Sequence, residues 1–227
     1  MDNQDNQSLT ESFSRLIVSD PIEAIADIAE LGLDSILDDG LLKDIPLLST
    51  AVAVFKFGSK VKYAHEIKKL ARFVTSFNKN IMSRDDIHRY KETKFNNPQS
   101  IKHELEYLLI VIEKYLEYEK PELLAKLYLE YLDSNFDWNT FCAYSVVIDN
   151  ILLQDIALLR EFKGKKGLRK GDIRDIASIL RLASMGLIEI ATGQSTQSFG
   201  NDIGVAFYVY EYDYTITNFG NGFIENI

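Results

Sequence analysis

Spacing fixes the architecture of this chain more tightly than composition does. From Phe13 to Ala183 apolar residues return every three or four positions, and only beyond Gly186 does the interval fall to two. A period near 3.6 lines up side chains on one face of a helix, and a period of two lines them up on one face of a strand. The sequence therefore predicts a mainly α protein. A polar tail over residues 1–9 leads into a helical bundle over 10–150, and a second domain over 151–227 starts helical and closes with a small antiparallel β-sheet.

Punctuation supports this reading. Phe13, Leu16 and Ile17 lie at helical spacing. In "SDPIEAIADIAELGLDSILDDG", Asp20 can cap, Pro21 suits the first helical position, and Ile22, Ile25, Ala26, Ala29 and Leu33 form one stripe. Pro46 looks like another helix start, with Leu47, Leu48, Ala51, Val52 and Phe55 as its apolar face, and Gly58 marks a break. Val61, Ala64, Ile67, Leu70, Ala71 and Val74 continue on a further helix. "NNPQS" (96–100) reads as a loop with Ser100 as cap. The stripe Ile101, Leu105, Leu108, Leu109, Ile112, Leu116 follows and Pro121 interrupts it. Asp137 can cap a helix from Trp138 to about Asn150.

Past Leu152, "LLQDIALLREF" reads as a helix running into a Gly/Lys turn. "RKGDIRDIASILRLASMG" reads as a second helix with Ile173, Ile176, Ala177, Leu180 and Ala183 or Ser184 on its buried face, ended by Gly186. "LIEIAT" is a strand, "GQSTQSFGND" a polar loop, and "IGVAFYVYEYDYTITNFG" one or two more strands. Helix, turn, helix, Met185-Gly186-Leu187-Ile188, strand, loop, strand, with Tyr214, Ile216, Thr217 and Gly220 near the close, resembles the winged-helix domains of many bacterial regulators. That resemblance implies a helix-turn-helix type module that contacts DNA or a partner protein. The earlier part, in "DDGLLKDIPLLST", "KKLARFV" and "PELLAKLYLEYLD", resembles a group of bacterial and prophage proteins, which implies a place in phage defence.

Charge alternates in blocks. Net charge is −9 over residues 1–50, +7 over 51–100, −6 over 101–150 and −1 over 151–227. One explanation is that the basic block neutralises the acidic ones within the fold. Another is that Lys56, Lys60, Lys62, Lys68, Lys69 and Arg72, in a basic amphipathic segment over 45–77, meet a membrane surface. In the second domain, Lys163, Lys165, Lys166, Arg169, Lys170 and Arg174 cluster and Arg181 follows. On a DNA-binding winged helix such residues neutralise phosphates, and Arg174, Ser178 and Arg181 would be the exposed ones able to read base edges. Against DNA stand Asp172 and Asp175, and a wing (193–202) without Lys or Arg. A homo-oligomer fits the sequence as well.

No residue pattern signals catalysis, a cofactor or a metal. His65, His88 and His103 lack metal spacing, and Arg84-x3-His88 falls short of the spacing in HEPN-type ribonucleases. Asp85, Asp86 and His88 read as a charged helix start behind Ser83. Asp133, Asn135, Asp137 and Asn139 imitate the front of a calcium loop, but Trp138 and Tyr144 stand where Gly and Glu are needed. "GKKGLRKG" is not a phosphate loop. Cys142, the single cysteine, reads as a small core residue. One thiol, an acidic N-terminus and no long apolar run predict a cytoplasmic protein without a membrane span.

Overall fold

A computed structural model describes residues 13, 14, 17, 22–30, 60–80, 98–163, 168–169, 176–198 and 206–227. It is mainly helical, with a small antiparallel sheet near the C-terminus. Residues 1–149 and 150–227 form two compact units.

In the first unit, α1 (Ile22–Glu30), α2 (Lys60–Asn80), α3 (Pro98–Lys114), α4 (Glu119–Leu132) and α5 (Trp138–Asn150) make the bundle. The long α2 packs against α1, α3 and α4. Its inner face buries Ala64, Ile67, Leu70, Ala71, Phe73, Val74 and Phe77, much as the spacing predicts, although Val61 is exposed. An aromatic column runs through the core: Phe13 to Phe73 at 5.8 Å, Phe77 to Tyr128 at 6.0 Å and Tyr128 to Phe141 at 5.7 Å between ring centroids. Buried Glu104 on α3 accepts hydrogen bonds from the Tyr128 and Tyr131 hydroxyls of α4, both at 2.9 Å. The interleaved tyrosines are thus packing and bonding elements of the core.

Three helix C-termini in this unit are closed by side chains of other helices. The last carbonyls of a helix have no partner within it and carry partial negative charge, so a cation placed there satisfies both bond and dipole. Lys69 of α2 donates to the carbonyls of Glu113 (2.7 Å) and Tyr115 (3.0 Å) at the end of α3. Arg72 of α2 donates to the Ala29 carbonyl in the last turn of α1 at 3.1 Å. Lys120 of α4 donates to the Asp149 carbonyl at the end of α5 at 2.9 Å. At its other end, α5 is capped by Asp137 as the sequence predicts: the carboxylate accepts from the Thr140 amide at 2.8 Å. The bonds from Thr140 hold the Asp137 carboxyl below its ordinary value.

Two boundaries differ from expectation. The helix expected behind Ser100 already begins at Pro98, whose missing N–H costs nothing at a first helical position. It stops at Lys114, leaving Leu116 outside the stripe and 80% exposed. The break expected at Pro121 and the short helix expected after it, with Leu123, Leu124, Leu127, Tyr128 and Tyr131, are present; the break falls earlier, between Lys114 and Glu119, and Pro121 sits in the first turn of α4.

The second unit runs α6 (Leu153–Phe162), β1 (Leu168–Arg169), α7 (Ile176–Ser184), β2 (Ile188–Ser198), β3 (Ala206–Ile216) and α8 (Asn218–Glu225). Sheet order is β1-β3-β2, all antiparallel, with Leu168 opposite Tyr214 and a β2/β3 ladder from Ile188 opposite Ile216 to Ser198 opposite Ala206. Buried residues here include Ile156, Leu159, Phe162, Ile179, Leu182, Leu187, Tyr214 and Phe223.

Gly186 ends α7 in the left-handed conformation, φ 73°. Its amide bonds to the Ala183 carbonyl (2.9 Å), and that of Leu187 to the Leu182 carbonyl (3.0 Å), the paired bonds of a Schellman close. Thr217 then ties the unit shut. Its amide donates to the Leu187 carbonyl (3.0 Å), its hydroxyl donates to the Gly186 carbonyl (2.7 Å), and the same oxygen accepts from the Gly220 amide (2.9 Å) as N-cap of α8. A Cβ at Gly220 would stand 2.1 Å from the Leu187 carbonyl oxygen, so only glycine fits. Here too the sequence reading needs correction. Positions 193–198, expected as loop, are strand because β3 supplies partners for them. β1 was not foreseen in the Gly/Lys turn. The closing strand stops at Ile216, and Asn218 begins a helix.

Candidate partner-binding face

The first turn of α6 carries Asp155, a position where the helix dipole favours an anion. Its carboxylate is buried and accepts from Ser178 Oγ at 2.7 Å. It also accepts from Arg181 through Nε at 2.7 Å and Nη2 at 2.9 Å. Arg181 Nη2 also lies 2.6 Å from Ser178 Oγ. This closed triad fixes α7 on α6 and sets the rotation of α7 about its axis. Ser178, Ile179 and Leu182 point inward, while Ile176 (44% exposed), Ala177, Leu180 (57% exposed) and Ser184 point outward.

The face expected to be buried is therefore the outer one. Ser178, expected to be exposed, is buried, and half-buried Arg181 spends its guanidinium on Asp155. Asp155 is the functional side chain that the sequence reading missed. Its only signal was a carboxylate near the start of an apolar helix, with Ser-x-x-Arg on the next helix.

The other basic residues of this unit are more scattered in role. Lys163, at the end of α6, is exposed and lies 3.5 Å from Glu225. Arg169 sits in β1, opposite Asp213. Lys165, Lys166, Lys170 and Arg174 lie outside the described residues, as do positions 199–202 of the expected wing.

In the first unit, Lys68 and Lys69 of the basic set on α2 are buried and Arg72 is half-buried, while Lys62 is exposed. Lys69 is 0% exposed and pairs with Glu66 at 2.8 Å, Arg72 pairs with Glu122 at 2.6 Å, and Lys62 lies 3.7 Å from Glu113. The buried Lys68 sits over the Tyr118 ring at 4.8 Å. Burial lowers the pKa of Lys69 and raises that of Glu66, in each case against their mutual attraction. Lys60 opens α2, and Lys56 lies outside the described residues. Among the described residues of this block, Lys69 and Arg72 close helix ends, and they and Lys62 each face an acidic neighbour.

No family model, curated protein or solved structure matches this chain.

The Cys142 thiol is half-buried, and burial raises its pKa, the opposite of nucleophilic activation. Tyr107 shares a 2.7 Å hydrogen bond with Ser145, which itself donates to the Cys142 carbonyl. His103 packs near Trp138, its ring centroid 6.4 Å away, and Asp85, Asp86 and His88 lie outside the described residues. Among the described residues, no three His, Cys, Asp or Glu side chains converge as metal ligands, and no single helix is long and apolar enough to cross a membrane.

Proposed function

We propose that this chain is a binding protein whose C-terminal unit is a winged-helix-like module that docks a partner protein through the outer face of α7. The winged-helix reading is supported by the order of helix, short strand, helix and long hairpin, and by the Gly186–Thr217–Gly220 closure. One helix, among the described residues, stands between β1 and β2. The observation that favours protein over DNA is the composition of α7. Ile176, Ala177 and Leu180 face outward and apolar, whereas its one cation, Arg181, is held by Asp155. A DNA-reading helix needs donors free to reach base edges. On the sequence resemblance, the setting is a bacterial regulator or a phage-defence component.

The test is a pair of measurements on the full chain. Anisotropy titration with random duplex and single-stranded DNA at low and moderate salt should give no salt-sensitive binding. Affinity capture from bacterial lysate should retain a partner that Leu180→Asp loses while its circular dichroism stays unchanged. Micromolar, salt-dependent DNA binding abolished by neutralising Lys163, Lys165, Lys166, Arg169 and Lys170 would overturn the protein reading in favour of nucleic acid. Co-flotation with anionic liposomes, lost on neutralising Lys56, Lys60 and Lys62, would instead favour the membrane reading of the 45–77 segment.

A further inference from the structure

The connection between α3 and α4, residues 115–118, is held by one side of α2. His65, Lys68 and Lys69 stand at i, i+3 and i+4 and so share a face. Lys69 takes the Tyr115 carbonyl, and the Tyr115 backbone lies close enough to His65 to favour its protonated form. His65 Nδ1 also lies 2.9 Å from the Tyr118 hydroxyl, with the two rings 4.9 Å apart, and Lys68 covers the Tyr118 ring.

Among the described residues, the charged groups of the elements that meet at this grip are Lys62, Glu66, Lys68, Lys69 and Arg72 on α2, Glu113 and Lys114 at the end of α3, Glu117 in the connection, and Glu119, Lys120 and Glu122 at the start of α4. Four of the carboxylates face a cation: Glu66 with Lys69, Glu113 with Lys62, Glu117 with Lys120 and Glu122 with Arg72. A proton arriving on His65 adds positive charge beside Lys69, whose ammonium already pairs with Glu66, and one turn from Lys68.

We propose that His65 makes the α3–α4 connection an acid-sensitive joint: the neutral imidazole holds residues 115–118 against α2, and the imidazolium, set beside Lys68 and Lys69, loosens them. Burial first, and then the Lys69 charge, lower the imidazole pKa below its ordinary value, against the raising pull of the Tyr115 backbone. A histidine with its folded pKa lowered gives a joint that is complete above the ordinary histidine range. The joint weakens as pH falls through that range toward the folded pKa, because the opened form takes up the proton first. Each unit of separation is a factor of about ten in the opening equilibrium.

The experiment is an NMR titration of the histidines in the full chain, with hydrogen exchange at residues 115–118 followed across the same pH range. The expected result is a His65 midpoint below about 6.5, with protection at 115–118, corrected for intrinsic exchange, falling about three- to tenfold between about pH 6.5 and that midpoint and levelling off below it. His65→Gln should leave protection flat with pH. A His65 midpoint at or above the free-imidazole range, or protection indifferent to pH, overturns the proposal, as does an unchanged pH response in His65→Gln. The wild-type titration decides the matter even if the variant does not fold.

Discussion

Replacing Lys69 by methionine tests how the bundle closes its helices. Methionine keeps the length and apolar body of the lysine stem and removes only the ammonium. Three groups then lose a partner: the buried Glu66 carboxylate and the carbonyls of Glu113 and Tyr115. Removing one member of a buried ion pair costs about 3–5 kcal/mol, because the remaining charge is stranded. Each carbonyl left without a partner would cost about 1–3 kcal/mol on its own, but the terms overlap, so about 3–5 kcal/mol is the expected total. Trp138, the only tryptophan, stacks on Phe141 at 5.0 Å inside the same unit, so its fluorescence in urea reports this unit. With a slope near ~2 kcal/mol per molar, the midpoint should fall by about 2 M.

Removing both charges, as Glu66→Leu with Lys69→Met, should recover most of that loss. Burial moves both pKa values toward the neutral forms, a sign that the ionised pair carries a desolvation penalty. The single variant also has a pH signature. Without Lys69, Glu66 keeps the raising cause and loses the two lowering ones from the lysine. Its folded pKa then stands further above the unfolded value, and stability falls as pH rises from the ordinary carboxylate range. Lys69→Met should therefore be more stable at pH 5 than at pH 8. A midpoint shift under about 0.5 M, or a double variant as damaged as the single, would refute the reasoning.

Two further substitutions probe backbone conformation. Ser134 follows α4 at φ 64°, with its amide on the Tyr131 carbonyl and the Asn135 amide on the Glu130 carbonyl, a Schellman close that glycine would occupy without strain. Ser134→Gly should stabilise the first unit by about 0.5–1 kcal/mol, read from the same urea transition. Gly220→Ala should destabilise the second unit by about 1–3 kcal/mol or more, since the new methyl meets backbone at the Leu187 carbonyl, and the change should appear as faster hydrogen exchange along β2 and β3.

Local signals in the sequence located most helices and several of their ends. Asp137 before Trp138 and Gly186 after α7 carry their meaning in their own chemistry, and the spacing from Ala64 to Val74 reports the face that α2 buries. What could not be read locally depends on a distant partner. Ile176, Ala177 and Leu180 make as good a stripe as Ile179 and Leu182. The choice between the two falls to Asp155, more than 20 residues earlier, which draws Ser178 and Arg181 inward. Lys69 looks like a water-facing charge until the end of α3 is placed beside it. Strand β1 has two residues and no periodicity, and it exists because β3 offers it an edge. Of the candidate face, its location on α7 was legible, and its polarity was not.

The stop signal of α3 is written in another helix. None of the described residues from Glu113 to Tyr118 takes a positive φ, and no glycine stands there, yet the carbonyls of Glu113 and Tyr115 are satisfied because Lys69 reaches them from 44 and 46 positions earlier. Two stretches of sequence thus share one instruction and are constrained to drift together. A descendant that gave up the lysine would need to regain its full stop locally, as a glycine or asparagine near position 115.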